Sequence, residues 1–134
     1  MINIIVMAHG GLAEEMLKTA GEISGLDVSG VNAFSSCSGN DCAVICARIE
    51  RIFENSPDGA LVLADMFGGS AANVPLQAAK DRTGVRVIAG LNMNMLLSAL
   101  QNRAKMNIAD LAAKVEADGI RGVVNVTRVL KEAC

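Results

Sequence analysis

His9 is the only histidine in the chain, and it directly follows the apolar run Ile4-Ile5-Val6-Met7-Ala8. Gly10 and Gly11 come next, so no bulky neighbour on that side covers the imidazole. A lone histidine is most often a structural or surface residue. At the end of a buried strand, beside two glycines, it can also serve as a nucleophile or general base. A second apolar run, Ala60–Ala64, ends on Asp65 and leads through Met66 and Phe67 to Gly68-Gly69-Ser70. Taken alone, Asp65 reads equally well as a turn or capping residue. If the two runs are neighbouring strands, its carboxylate reaches the His9 ring and accepts one ring N–H. That bond fixes the tautomer, and the other nitrogen is left as a lone pair facing solvent. Gly68-Gly69-Ser70 is a common loop sequence, and Ser70 can merely cap a helix. Bare glycine amides at a helix N-terminus also form an anion cradle, to which a serine adds a hydroxyl. Together, His9, Asp65 and the cradle suggest a histidine that briefly carries phosphate.

The elements that must place these residues follow from the hydrophobic pattern. Ile2–Ala8 is a β-branched run of the kind found in a strand covered on both faces. Leu12, Met16, Leu17, Ala20 and Ile23 then share one face of a helix over 12–24, stopped by Gly25. A weaker strand is expected over Val28–Phe34, then a Ser/Cys/Gly loop at 35–40, then a helix over 41–55. Ala60–Ala64 is an apolar strand. The helix after it starts near Ser70 or Asn73 and reaches about Arg82, with Pro75 favouring the later start. Val85–Ala89 forms a fourth strand, and short helices follow over 94–101 and 108–118, the second capped by Asn107. Val123–Leu130 is expected to be a last strand or an extended tail. Strands alternating with helices predict an α/β, three-layer fold: a mostly parallel sheet with helices on both faces and right-handed crossovers. In such sheets ligands sit beyond the carboxyl ends of the strands. Those ends carry His9, the 35–40 loop, Asp65 with Gly68-Gly69-Ser70, and Gly90-Leu91-Asn92.

Composition removes several function classes. The length of 134 residues fits a single domain, 1–134, with no linker or internal repeat. Aromatic residues are 2% of the chain, which leaves almost no stacking platform for bases or for a flavin. The net charge of −2, with no basic stripe, argues against nucleic-acid binding. No apolar run approaches a membrane span, and the start lacks a basic leader, so a cytoplasmic protein is expected. Cysteines stand at 37, 42, 46 and 134 with no C-x-x-C, and one histidine is a poor basis for a metal site; no metal is expected. Cys42 and Cys46, one helical turn apart, read as small apolar residues rather than redox groups. Cys37 falls in the loop.

The chain resembles the enzyme IIA domain of the mannose family of bacterial sugar phosphotransferase systems, over about residues 1–130. The resemblance rests on Ile4–Gly10 with Leu12-Ala13, on Leu61–Ser70 with Asn73, and on Val87–Asn92 with Met95-Leu96. It implies a phosphotransferase that takes a phosphoryl group from the phosphocarrier HPr onto Nε2 of His9. The group then passes to a IIB domain, while membrane IIC and IID proteins carry the sugar. Asp65 would orient the ring, and Gly68, Gly69 and Ser70 would hold the phosphoryl oxygens. Gly10, Ser38 and Asn92 are expected at the rim of the site. No cofactor is implied. The family fold is a parallel sheet with helices on both faces, and its homodimers exchange a C-terminal strand.

The sequence departs from the family at Ala71 and Asn94, where proline is common, and at Cys37-Ser38-Gly39, where a Pro-Gly pair is common. These changes leave the acceptor intact and bear on the partner surface. Two other readings stand beside the relay. One is a non-catalytic regulatory or anion-binding domain of the same fold. The other is the phosphocarrier subunit of a dihydroxyacetone kinase, which the Gly-Gly-Ser and Gly-x-Asn segments fit less well.

Overall fold

The protein is described from a computed structural model covering residues 1–133. Cys134 lies outside the described residues. Four strands, β1 (Asn3–Ala8), β2 (Asn32–Ser35), β3 (Ala60–Ala64) and β4 (Val85–Ala89), form one parallel sheet in the order β2-β1-β3-β4. The helices are α1 (Leu12–Ser24), α2 (Asp41–Glu54), α3 (Ser70–Ala78), α4 (Met93–Asn102), α5 (Ile108–Arg121) and α6 (Val126–Ala133). The expected three-layer α/β fold is what forms.

Alternation along β1 divides the core. Ile4, Val6 and Ala8 pack with Ala13, Leu17 and Ala20 of α1, and with buried residues of α4 and α5. Ile5 and Met7 face the other way, against Ile49 and Phe53 of α2 and Ala71, Ala72 and Val74 of α3. Every β3 residue is buried, as a strand covered on both faces requires. With two edge strands outside them, β1 and β3 are the central pair. The chain winds from β1 towards β2 and from β3 towards β4, so the crevice between the ends of β1 and β3 is a topological switch point.

The structure corrects two expectations and decides between the two starts given for a third element. Residues 126–133 form a helix, not a fifth strand. The valines favour a strand, but Val126, Val129, Leu130 and Ala133 also repeat at helical spacing. Asn125 supplies the start: its side chain accepts the Arg128 N–H at 3.2 Å, and its carbonyl accepts the Val129 N–H at 3.1 Å. No residue of α6 is buried. The segment expected to supply an exchanged strand is thus helical. Second, β2 begins at Asn32 rather than Val28. The Asp27 side chain accepts from both the N–H and the hydroxyl of Ser29, and Gly30 has φ +80°, so the chain turns before it can pair. Third, α3 starts at Ser70 despite Pro75 in its interior. The Ala72 and Asn73 amides both donate to the Gly69 carbonyl, so the first turn closes ahead of the proline. Pro75 lies past that turn and has no N–H, so the helix forgoes the one bond to the Ala71 carbonyl and ends at Ala78, short of the expected Arg82.

Gly59 closes the lower end of the sheet with φ +100°. A Cβ there would lie 2.7 Å from the Gly84 carbonyl oxygen and 3.0 Å from Ile108 Cβ. Gly59→Ala is therefore expected to lower stability by about 1–3 kcal/mol through strain and overlap. Urea unfolding would show this as a lower midpoint at unchanged slope, and an unaltered midpoint would contradict the crowding argument.

Candidate functional site

β1 and β3 are in register with Met7 opposite Ala64. The next residues of each chain therefore leave the sheet side by side. The Asp65 amide still donates to the Met7 carbonyl at 3.1 Å, which extends the ladder by one bond. His9 then turns over the end of β3. Its backbone N–H donates to Asp65 Oδ2 at 2.9 Å, and its ring Nδ1 lies 2.7 Å from the same oxygen. A carboxylate only accepts, so Nδ1 is the protonated nitrogen and Nε2 carries the free lone pair. One oxygen thus grips both the backbone and the ring of His9.

The two side chains differ sharply in exposure. The His9 side chain is 55% exposed and that of Asp65 only 11%. Burial pushes the Asp65 carboxyl up, but the hydrogen bonds from the His9 backbone and ring, and the charge the ring carries once it is protonated, outweigh this and hold it below the ordinary carboxylate range. Its second oxygen, Oδ1, is buried with no hydrogen-bond partner among the described residues. The buried carboxylate charge is therefore directed chiefly at His9.

The glycine loop completes the edge. Gly68 has φ +87° and open space around it, and Asn73 Nδ2 donates to its carbonyl at 3.2 Å. A Cβ on Gly69 would sit 3.7 Å from His9 Cε1, so this backbone passes directly beside the ring. Ser70 begins α3. The sequence-predicted His9, Asp65, Gly68, Gly69 and Ser70 thus gather at one edge, with amides and a helix N-terminus beside an exposed imidazole.

Of the expected rim residues, Gly10 has φ +56°, and its carbonyl accepts the Ser35 hydroxyl at 2.6 Å. Ser38 lies in the loop after β2, exposed at the mouth of an open groove. Asn92 is committed elsewhere. Its Oδ1 caps α4 by accepting the Met95 N–H at 3.0 Å, and its Nδ2 donates to the Gly119 carbonyl of α5 at 3.0 Å. Asn94, where the family often has proline, lies against the end of α5, where a Cβ on Gly122 would meet its side chain. Sequence reasoning missed the apolar lip beside the site: Met66 is 59% exposed and Phe67 85%. The signal was there, because two large apolar residues directly follow the strand-ending aspartate. It missed Cys37 and Cys42 as well. They form a disulfide with Cα atoms 5.0 Å apart, so Cys42 is not the plain apolar residue expected, while Cys46 is a free thiol. No metal-binding cluster and no helix long and apolar enough to cross a membrane occurs among the described residues.

Comparison with known proteins bears on the family and the fold. Residues 3–116 match the family model EIIA-man, described as the PTS system fructose IIA component. The PTS system mannose-specific EIIAB component of Escherichia coli K12 is 30% identical over 106 residues, 76% of this chain but 32% of that protein. The chain thus spans about a third of the length of the curated relatives it matches. Among solved structures, phosphotransferase system component EIIA from Streptococcus agalactiae superposes with a TM-score of 0.85 at 27% identity, covering 96% of this chain and 99% of that one. The mannose/sorbose-specific IIA subunit from Enterococcus faecalis gives 0.79 at 29% identity, covering 92% and 93%. Family, fold and strand-end chemistry converge: the chain belongs to the EIIA-man family of IIA components of the phosphotransferase system.

Proposed function

We propose that residues 1–134 act as one phosphohistidine relay domain, with His9 as the acceptor. The observation that carries this reading is the exposed His9 ring held through Nδ1 by the mostly buried Asp65 carboxylate. An imidazole so fixed presents Nε2 outward, as a group that must meet a second protein needs to be. The donor is the phosphorylated histidine of HPr, and the acceptor is a IIB domain. The A and B components joined in the names of the mannose-specific relatives support that pairing. The transported sugar crosses the membrane through IIC and IID proteins, and this domain works with them from the cytosol. A homodimer belongs to the same reading.

In the forward step the Nε2 lone pair attacks phosphorus in line. The phosphorus–nitrogen bond to HPr breaks, and its electron pair returns to the donor imidazole. The His9 ring becomes cationic, and Asp65 offsets that charge through the Nδ1–H bond. Gly68 and Gly69 amides, the start of α3 and the Ser70 hydroxyl receive the equatorial oxygens. Donor and acceptor are both imidazoles, so the exchange is close to isoenergetic, and positioning is most of what the protein must supply. No metal or cofactor enters the step. The exposed Met66 and Phe67 give a partner an apolar patch next to the ring.

The direct test is incubation of the full chain with phosphorylated HPr, followed by mass spectrometry under alkaline conditions. One acid-labile phosphate on His9 is expected, and an intact His9 that never gains label from any HPr would sink the reading. Retained HPr binding without labelling would favour the regulatory alternative. Asp65→Asn should keep the fold and slow transfer about 10–100-fold by releasing the ring. Because the Asp65 carboxyl is held below its ordinary value, its support for the site is present above about pH 3.9 and is lost as pH falls through the lowered pKa. Carbon-detected NMR titration of that carboxyl should give a midpoint under the free value; a midpoint at or above it contradicts the pairing. Gly69→Ala should be tolerated, since 3.7 Å is ordinary contact. Gly69→Leu should block phosphoryl approach, and equal transfer by both variants would remove the glycine loop from the cradle.

A further inference from the structure

The last residue of β2 and the first of the loop after it are attached to the backbone on both sides of His9. The Ser36 amide donates to the Ala8 carbonyl at 2.7 Å, and the Ser35 hydroxyl donates to the Gly10 carbonyl at 2.6 Å. The next residue is Cys37, which is joined to Cys42 in the first turn of α2. Between them Gly39, at φ +61°, turns the chain, and its carbonyl accepts the Cys42 amide at 3.3 Å. This backbone turn holds the joined pair at a Cα separation of 5.0 Å, inside the range a disulfide spans. We propose that Cys37 and Cys42 form a reversible dithiol–disulfide site whose oxidation stiffens the loop holding the backbone around His9.

The surroundings select this pair. Cys42 lies at the N-terminus of a 14-residue helix, where the helix dipole favours a thiolate, although the neighbouring Asp41 works against it. Both cysteines are half-buried and each lines an open groove, the one beside Cys42 shared with Cys46. Cys46, one turn along α2, is the obvious competitor. Burial pushes its thiol up, and the nearby Glu50 carboxylate adds to this, so it stays protonated and a poor nucleophile. In the cytosol, a location that rests on the proposed function, disulfides are usually transient, so the pair would cycle rather than remain closed.

The Cys42 thiolate attacks one sulfur of a small-molecule disulfide such as glutathione disulfide and expels one thiolate. The Cys37 thiol then loses its proton and attacks the Cys42 sulfur, which expels the second thiolate. The two cysteines are oxidised by two electrons, and the external disulfide is reduced to two thiols.

The test uses the full chain in glutathione buffers, with alkylation, peptide mass mapping and hydrogen exchange. It needs no phosphoryl transfer, so its failure and the failure of the relay reading are separate results. Glutathione disulfide should protect Cys37 and Cys42 from alkylation as one cross-linked peptide, leave Cys46 alkylatable, and be reversed by dithiothreitol. Amides of residues 8–10 and 36–42 should exchange roughly 5-fold or more slowly in the oxidised form, as expected where opening of a segment is restrained. Cys42→Ser should show no such slowing under oxidant, and Cys46→Ser should show all of it. Both cysteines remaining alkylatable in glutathione disulfide would overturn the proposal. So would Cys46 replacing either partner, a cross-link without slowed exchange at residues 8–10, or slowing that persists in Cys42→Ser.

Discussion

A single carboxylate oxygen, Oδ2 of Asp65, accepts both the backbone N–H and the ring N–H of His9. The backbone bond sets where the residue leaves the sheet, and the ring bond sets which way the imidazole faces. Either alone would leave a rotation free. Both bonds exist because β1 and β3 are adjacent, parallel and in register to their last pair. A slip of one residue would turn the β3 side chains to the opposite face, and Asp65 would be lost to the site along with the packing. The same apolar residues that stabilise the core therefore fix the alignment of the dyad.

Helices on both faces keep that alignment rigid while leaving the strand ends open. β1 and β3 are almost wholly buried, so the two strands cannot shift independently. Beyond them the cover stops: Gly10, Gly11 and Gly68 carry no side chains that could close over the ring. An enclosed cleft would suit a small substrate. An open edge with an exposed ring and an apolar lip suits the approach of another folded surface, which brings its own cover and excludes water when it docks.

Much of this was legible in the residues. Long apolar runs marked β1 and β3, because no competing pattern exists for a strand covered on both faces, while the edge strand β4, with Arg86 exposed inside it, was marked by its β-branched residues and the closing Gly90. His9 and Asp65 stood out because each interrupts such a run at its carboxyl end. What escaped depended on contacts between distant residues, or on local bonds that override propensity. Asn92 resembles a site residue by position, yet α5, 27 residues later, takes its amide. The valines of α6 suggest a strand until the Asn125 cap is counted. Spacing alone does not reveal that Cys37 and Cys42 meet, because that requires the turn at Gly39 and the first turn of α2 together.

The loop bearing Cys37 also shows how a departure from the family pattern gains meaning from its place in the fold. A Pro-Gly pair would hold such a loop by restricting the backbone permanently, since proline fixes φ and removes a donor. Here the restriction comes from a cross-link between side chains, in the same segment whose first residues bond to Ala8 and Gly10. A covalent ring closed by a thiol pair limits the loop's freedom as proline does, but the restraint depends on the redox state. The loop reaches His9 through two hydrogen bonds to its neighbours, while the Asp65 pairing comes from the opposite strand. Asp65 thus fixes the ring and the His9 amide from one neighbouring strand, and the other neighbour adds its own hold on the Ala8 and Gly10 carbonyls.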